Sequence, residues 1–295
     1  TPNLLIVRVG VLILPDDRWA IAADRWRRAE ALGFDHAWTF DHIAWGDLRD
    51  SPWFAAMPTL TAAATATSRL RIGTLVASPN FRHPVPLARE VITLDDISQG
   101  RLTVGVGAGS HGWDATMMGQ TPWSVAERAD RFVEFVELLD LLLRNLEVSY
   151  QGRYWNAHEA RTHPGCFQSP RTPFAIAATG ARSMRSAARH AATWVTNGDR
   201  SHQGPPMAAE PGAAVVARQM TSLEQACLAE GRDPASIDRL VLTGQRLDSG
   251  LASTAAFDEV KSAYREVGVT DLVIPWPRPA DPYRGDESIL ERIVG

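Results

Sequence analysis

The feature that most constrains this chain is a repeat. Short apolar runs alternate with stretches of helical spacing from one end to the other. Residues 4–14 (LLIVRVGVLIL) are apolar and β-branched without alternation, as in a strand covered on both faces. Pro15, Asp16 and Asp17 close that run, and the aspartates stand where they can cap a helix over 18–32. In that helix Trp19, Ala22, Ala23, Trp26, Ala29 and Leu32 recur at helical spacing, and Gly33 ends it as a C-cap glycine. Further strands are expected at 34–40, 70–77, 101–106, 174–178, 193–196, 237–247 and 270–275. Helices are expected between them at 55–67, 84–98, 123–146, 180–191, 213–230 and 254–267, with a short one closing the chain. The helix over 123–146 has the strongest pattern: Ser124 and Glu127 have capping-box spacing, and Ala129, Phe132, Val133, Val136, Leu139 and Leu143 share one face. Residues 148–172, with Gly152, Pro164, Gly165 and Pro170, read as an irregular excursion, and 197–212 as a Gly/Pro-rich loop.

Eight such units imply an α/β protein with a parallel sheet, because each helix carries the chain back to start the next strand in the same direction. Eight units within 295 residues point to one domain over 1–295, a (β/α)8 TIM barrel with loop insertions. A doubly wound open sheet is the rival arrangement.

Composition removes several functions. Thirty basic against 34 acidic residues give a net charge of −4, which argues against a nucleic-acid-binding surface. No apolar run approaches the ~18 residues of a membrane helix, and no secretion signal is expected at the N-terminus. Cys166 and Cys227 lack metal spacing, and His158 and His163 lack an accompanying ligand set, so no metal is expected. A reducing, cytoplasmic setting and a small-molecule partner fit these features.

In a barrel of this kind the ligand lies beyond the C-terminal ends of the strands. After the second strand come Thr39, Phe40, Asp41 and His42, with Trp45 close behind. This Asp-His pair offers a charge and a proton-transfer group to one cavity, or else a loop carboxylate beside a packed histidine. After the third strand, residues 76–84 (VASPNFRHP) carry small and hydroxyl side chains that can approach a planar ring, or form a proline-shaped connection. After the fourth, Gly105, Gly107 and Gly109 alternate and lead to Ser110, His111, Gly112, Trp113 and Asp114. Gly107 to Gly112 spells GxGxxG, but no helix is expected to open at once and the position is wrong for a dinucleotide fold, so close backbone approach by a ligand is the better explanation. After the fifth, Ala178, Thr179, Gly180 and Ala181 open a helix whose free amides suit a phosphate.

With these residues in view the chain resembles the luciferase-like family of flavin and deazaflavin oxidoreductases. The likeness is carried by residues 31–42 (ALGFDHAWTFDH), 67–74 (TSRLRIGT), 81–84 (FRHP), 94–102 (LDDISQGRL) and 105–109 (GVGAG), and continues more thinly through 150–154 and 176–180. The resemblance implies a barrel holding coenzyme F420, with FMN as the alternative. By that likeness His42 handles a proton beside the reactive ring, Asp41 lines the deazaflavin, and a cis peptide at Leu75-Val76 bulges against it. Ser78, Gly107, Ala108 and Ser110 complete the cofactor wall, and Thr179, Gly180 and Ala181 meet its phosphate. Trp45, His111 and Trp113 are the candidate substrate contacts. The F420-dependent glucose-6-phosphate dehydrogenases of this family carry a glutamate where Ser110 stands, and they grip the sugar phosphate with lysines. Here Lys261 is the only lysine, and Thr179 replaces the first glycine of the phosphate pair. The expected activity is therefore F420-dependent hydride transfer to an unsaturated metabolite. The alternatives are an FMN-dependent two-component monooxygenase and a flavin-binding barrel without turnover. Family likeness also implies a homodimer, and a separate F420 or flavin reductase as a possible partner protein.

Overall fold

Eight parallel strands close on themselves in the computed structural model, which describes residues 6–110 and 113–294. The first four are β1 (Arg8–Leu12), β2 (His36–Thr39), β3 (Arg71–Thr74) and β4 (Leu102–Gly107). A separate antiparallel hairpin, β5 (Glu147–Gln151) and β6 (Asn156–Arg161), follows. The barrel resumes with β7 (Phe174–Ala177), β8 (Thr193–Thr196), β9 (Asp238–Leu242) and β10 (Asp271–Pro275). β10 pairs with β1 to close it, Val11 standing beside Ile274 on one side and Ala37 on the other. The closed ring excludes the open-sheet alternative.

Nine α-helices are seen among the described residues: α1 (Trp19–Leu32), α2 (Ala56–Ala66), α3 (Pro84–Ile97), α4 (Trp113–Met117), α5 (Val125–Arg144), α6 (Ala181–His190), α7 (Ala209–Ala229), α8 (Thr254–Glu266) and α9 (Ser288–Val294). Gly33 caps α1 in the left-handed conformation, its N–H reaching the carbonyls of Ala29 and Glu30. The Ser124 hydroxyl accepts from the Glu127 amide at 3.2 Å. Asp16 and Asp17 do not cap α1. Asp17 pairs with Arg25 at 2.5 Å, and Asp16 takes Arg278, because arginine partners offer charge where the helix offers only amide dipoles.

Three expectations need correction. Residues 148–172 contain most of the β5–β6 hairpin, whose strands are largely exposed and so lack an apolar signal. Glu134 of α5 holds that hairpin by accepting the amides of Arg153, Tyr154 and Trp155. Helix α7 begins at Ala209 rather than near 213, since Pro211 falls in its first turn, where a missing N–H costs nothing. A short helix does open after the β4 glycines, at Trp113.

Two apolar regions result. One fills the shell between strands and helices, with Trp26, Phe132, Phe135, Phe174 and Trp194 at its centre. The other fills the barrel, where Leu12, Leu14, Trp38, Phe40, Leu240, Leu242 and Val273 meet. The barrel filling is lopsided. β9, β10, β1 and β2 contribute large side chains, whereas the inward positions of β4 and β7 are Gly105, Gly107, Ala175 and Ala177.

Candidate active site at the barrel mouth

The loop after β2 sets His42 at the C-terminal end of the barrel. Asp114, in the first turn of α4, reaches it across 72 residues of sequence. Its Oδ2 lies 2.7 Å from His42 Nδ1 and its Oδ1 accepts the Ile43 amide at 2.8 Å. A buried carboxylate only accepts, so Nδ1 carries the proton and Nε2 of the neutral ring keeps its lone pair. Nε2 has no hydrogen-bond partner among the described residues, and the side chain is 18% exposed. The Trp53 indole N–H donates to the His42 carbonyl at 2.8 Å and fixes the backbone as well.

Asp41 is placed differently from its neighbour. It is 1% exposed, and both its oxygens take a fork from Arg82, at 3.0 Å to Nε and 2.8 Å to Nη2. Arg82 also reaches Glu90 at 2.9 Å. Burial works against the Arg82 charge, but the Asp41 hydrogen bonds outweigh it and make the guanidinium more basic than usual. Asp41 thus ties the loop after β2 to the loop after β3.

That second loop starts at the Leu75–Val76 peptide, which is cis as the resemblance implies. The bulge it makes explains the glycines of β4. A Cβ on Gly105 would collide with the Thr74 carbonyl, and one on Gly107 would lie 2.6 Å from Val76 Cγ2. Their first duty is to accommodate the neighbouring strand, so the alternation attributed to ligand approach has a local cause. Gly109, with φ at +73°, makes room for Ser78 and Asn80. Ser78 is buried and accepts the Asn80 amide at 3.1 Å. Asn80 donates from Nδ2 to the Ser110 carbonyl, while its buried Oδ1 has no partner among the described residues. Ala108 is half-buried and the Ser110 side chain exposed.

Thr179, Gly180 and Ala181 are exposed at the start of α6. Gly180 is the N-cap and has no side chain to satisfy the first amides, which leaves them open to an anion. Arg128, Arg200 and Arg246 gather at the same end of the barrel. Burial first, and then the Arg200 charge, lower the pKa of both Arg128 and Arg246, while Asp199 works the other way at Arg246.

Of the substrate candidates, Trp45 lies in the mouth, its ring 4.8 Å from Phe40 and stacked on Trp53 at 6.1 Å and Tyr283 at 6.2 Å. Trp113 faces outward with Arg49 over its ring at 4.0 Å. His111 lies outside the described residues. Sequence reasoning named Asp114 only as the end of the glycine run after the fourth strand, and it missed Arg82 as the Asp41 partner, Asn80 and Tyr283. Only the arginine carried a usable signal, as an unpaired cation in a strand-end loop. Among the described residues no cluster of three or more His, Cys, Asp or Glu side chains is arranged to hold a metal, and no helix is long and apolar enough to cross a membrane.

Residues 5–243 match the sequence model of the family described as luciferase-like monooxygenase. An F420-dependent glucose-6-phosphate dehydrogenase of Beutenbergia cavernae is 34% identical over 170 residues, 55% of this chain and 47% of that protein. The match thus spans about half the length of that relative. A 5,10-methylenetetrahydromethanopterin reductase of Methanopyrus kandleri is 27% identical over 278 residues, 91% of this chain and 74% of the reductase. The fold is shared with a solved F420-dependent secondary alcohol dehydrogenase bound to an F420-acetone adduct. The TM-score is 0.80 at 18% identity, over 97% of this chain and 96% of the other.

Proposed function

The chain belongs to the luciferase-like monooxygenase family, and from that premise we propose that it is an F420-dependent oxidoreductase that reduces a small unsaturated organic substrate. The observation that carries this reading is the His42–Asp114 pair, one ring nitrogen anchored and the other without a partner among the described residues at the barrel mouth. Relatives named for F420 dependence support the coenzyme assignment.

The residues present fit such a coenzyme. The small-residue half of the barrel, walled by Val76 and Gly107, suits a flat ring. Asn80 Oδ1, which meets no partner among the described residues, offers an acceptor for a ring or side-chain donor. The α6 amides at Gly180 and Ala181, which no side chain caps, suit a phosphate. When bound, the deazaflavin supplies the hydride. The protein's part is to hold and move the coupled proton. In the reducing direction the imidazolium form of His42 gives its Nε2 proton to the substrate and is left as the neutral Nδ1–H ring, and Asp114 keeps that tautomer and stabilises the imidazolium form. Asp41 is a positioning residue, since Arg82 occupies its carboxylate.

A fluorescence titration of the purified protein with F420, run beside oxidised and reduced FMN, tests the assignment. Tight F420 binding that survives in His42→Ala, with turnover lost, is expected. A preference for reduced FMN overturns it in favour of a flavin monooxygenase.

A further inference from the structure

Opposite the small-residue half of the barrel stands an aromatic wall that the reaction just described does not use. Trp53, Trp45 and Tyr283 stack in succession, with interplanar angles of 27° and 20°, over the strand ends that carry the large inward side chains. Trp45 comes from the loop after β2 and Tyr283 from the segment after β10, so the wall bridges the closing seam of the barrel. A Cβ on Gly244, just past β9, would lie 3.0 Å from the Tyr283 ring, so the ring rests on bare backbone there.

The far end of Tyr283 is anomalous. Its side chain is only half-buried, yet the hydroxyl oxygen is fully buried and meets no hydrogen-bond partner among the described residues. Gln245 is near enough to influence the phenol, but no atom satisfies hydrogen-bond geometry. The hydroxyl is therefore the inward end of the ring. The backbone is held in the left-handed region, φ +69°, which a tyrosine adopts only under constraint. The constraint is visible: Arg278 donates to the Pro282 carbonyl at 2.8 Å and pairs with Asp16 at 2.7 Å, while its amide donates to the Tyr283 carbonyl at 2.8 Å. A buried hydroxyl left unpaired at a strained, deliberately pinned position is expected to find its partner in a ligand.

We propose that Tyr283 is the specificity-determining donor of the substrate site: its hydroxyl donates a hydrogen bond to the oxygen of an apolar, ring-bearing ketone whose hydrocarbon body packs on the Trp45–Trp53 wall. This rests on the barrel mouth being the substrate site of the oxidoreductase proposed above. It adds the chemical class, an apolar body with one oxygen acceptor. A rigid apolar wall rewards contact area without direction, and the lone hydroxyl supplies the orientation.

The experiment compares two probes of nearly equal shape, acetophenone and α-methylstyrene, which differ in having C=O or C=CH2. Both are titrated calorimetrically into the F420-loaded chain and the free chain, in wild type and Tyr283→Phe. The wild type is expected to favour the ketone about tenfold, and the variant to bind both probes with the hydrocarbon's affinity. F420 affinity is expected to be the same in both proteins. Tyr283→Phe is expected to melt at or above the wild-type temperature, because it removes an unpaired buried hydroxyl. The proposal is overturned if the variant keeps the ketone preference, or if the wild type shows none or takes neither probe. A lower melting temperature with both probes lost together also overturns it, as a purely structural role. Failure to bind F420 with the ketone preference still dependent on Tyr283 would sink the coenzyme assignment and leave the tyrosine's role standing.

Discussion

Two histidine–aspartate pairs stand at opposite ends of one barrel, six residues apart in sequence, and their surroundings give them different work. At the N-terminal end, the His36 Nδ1 accepts the Trp38 indole N–H at 2.7 Å, so Nε2 must carry the proton that it donates to Asp271 at 3.0 Å. Asp271 also takes a two-bond fork from Arg8 and the Thr270 hydroxyl. Every donor and acceptor of that imidazole is used. At the C-terminal end His42 has the same kind of partner at 2.7 Å and one nitrogen that meets no partner among the described residues. The chemistry available to a histidine is thus set by what its second nitrogen meets, which is a property of the packed barrel.

Five substitutions sharpen or break this contrast. The largest effect is expected from His42→Ala, a loss of about 10²–10⁴-fold in turnover at equal folded fraction, with about 1–3 kcal/mol of stability lost because the buried Asp114 Oδ2 is left unpaired. A comparable loss in His36→Ala, at equal folded fraction, would erase the distinction. Asp114→Asn removes a charge-assisted hydrogen bond of about 1.5–3 kcal/mol, so turnover is expected to fall roughly 10–150-fold without loss of coenzyme binding. Asp271→Ala is expected to act on stability instead. Urea melts should show about 3 kcal/mol lost, the low end for a broken buried pair, because Arg8 is half-exposed and keeps Asp238 at 2.7 Å. Gly107→Ala should cost about 1–3 kcal/mol by forcing Val76 aside, and it should weaken F420 binding if Val76 forms the coenzyme wall proposed above.

The smallest expected effects are in acid. Burial opposes ionisation of Asp271, but the hydrogen bonds from His36 and Arg8 outweigh it and hold the carboxyl well below its ordinary value of 3.8. A carboxylate lowered in this way stabilises the fold at pH above its unfolded value and loses that contribution as pH falls through the folded one. Glu30 behaves alike. Its burial is outweighed by the amides of Arg69, Leu70 and Ser68, which bring it down to about 2, so its contribution fades between pH 4.5 and about 2. Acid-unfolding curves of Glu30→Gln should therefore be flatter than wild type in that window. Equal slopes would remove this clamp between α1 and β3 from the account.

Glycines mark the same two ends. A Cβ on Gly10 would collide with the His36 ring, and one on Gly105 with the Thr74 carbonyl. At the floor of the barrel the missing side chain admits a structural histidine. At the mouth it admits the backbone bulge of the next strand. The run of glycines after β4 was conspicuous in the sequence, but its spatial neighbour was not.

The eight strands and their helices were legible because each buried its apolar residues at the period of its own backbone, and because Gly33 and Ser124 carry local capping chemistry. The β5–β6 hairpin was not. Its strands are mostly exposed, and Glu134, an acid on another element, holds its turn. Asp41 and His42 were visible as neighbours at a strand end. That one is tied to Arg82 and the other to Asp114 was hidden, since those partners lie 41 and 72 residues away.

The sequence by itself determined the barrel and the end of it that matters, because hydrophobic period and strand order are local properties repeated eight times. Which histidine is fully bonded and which keeps a nitrogen unpartnered among the described residues, why the β4 glycines are needed and where Tyr283 aims its hydroxyl were decided only by tertiary structure. Hydrogen bonds and steric fit act over a few ångströms in space, and closing the barrel is what brings distant parts of the chain within that range.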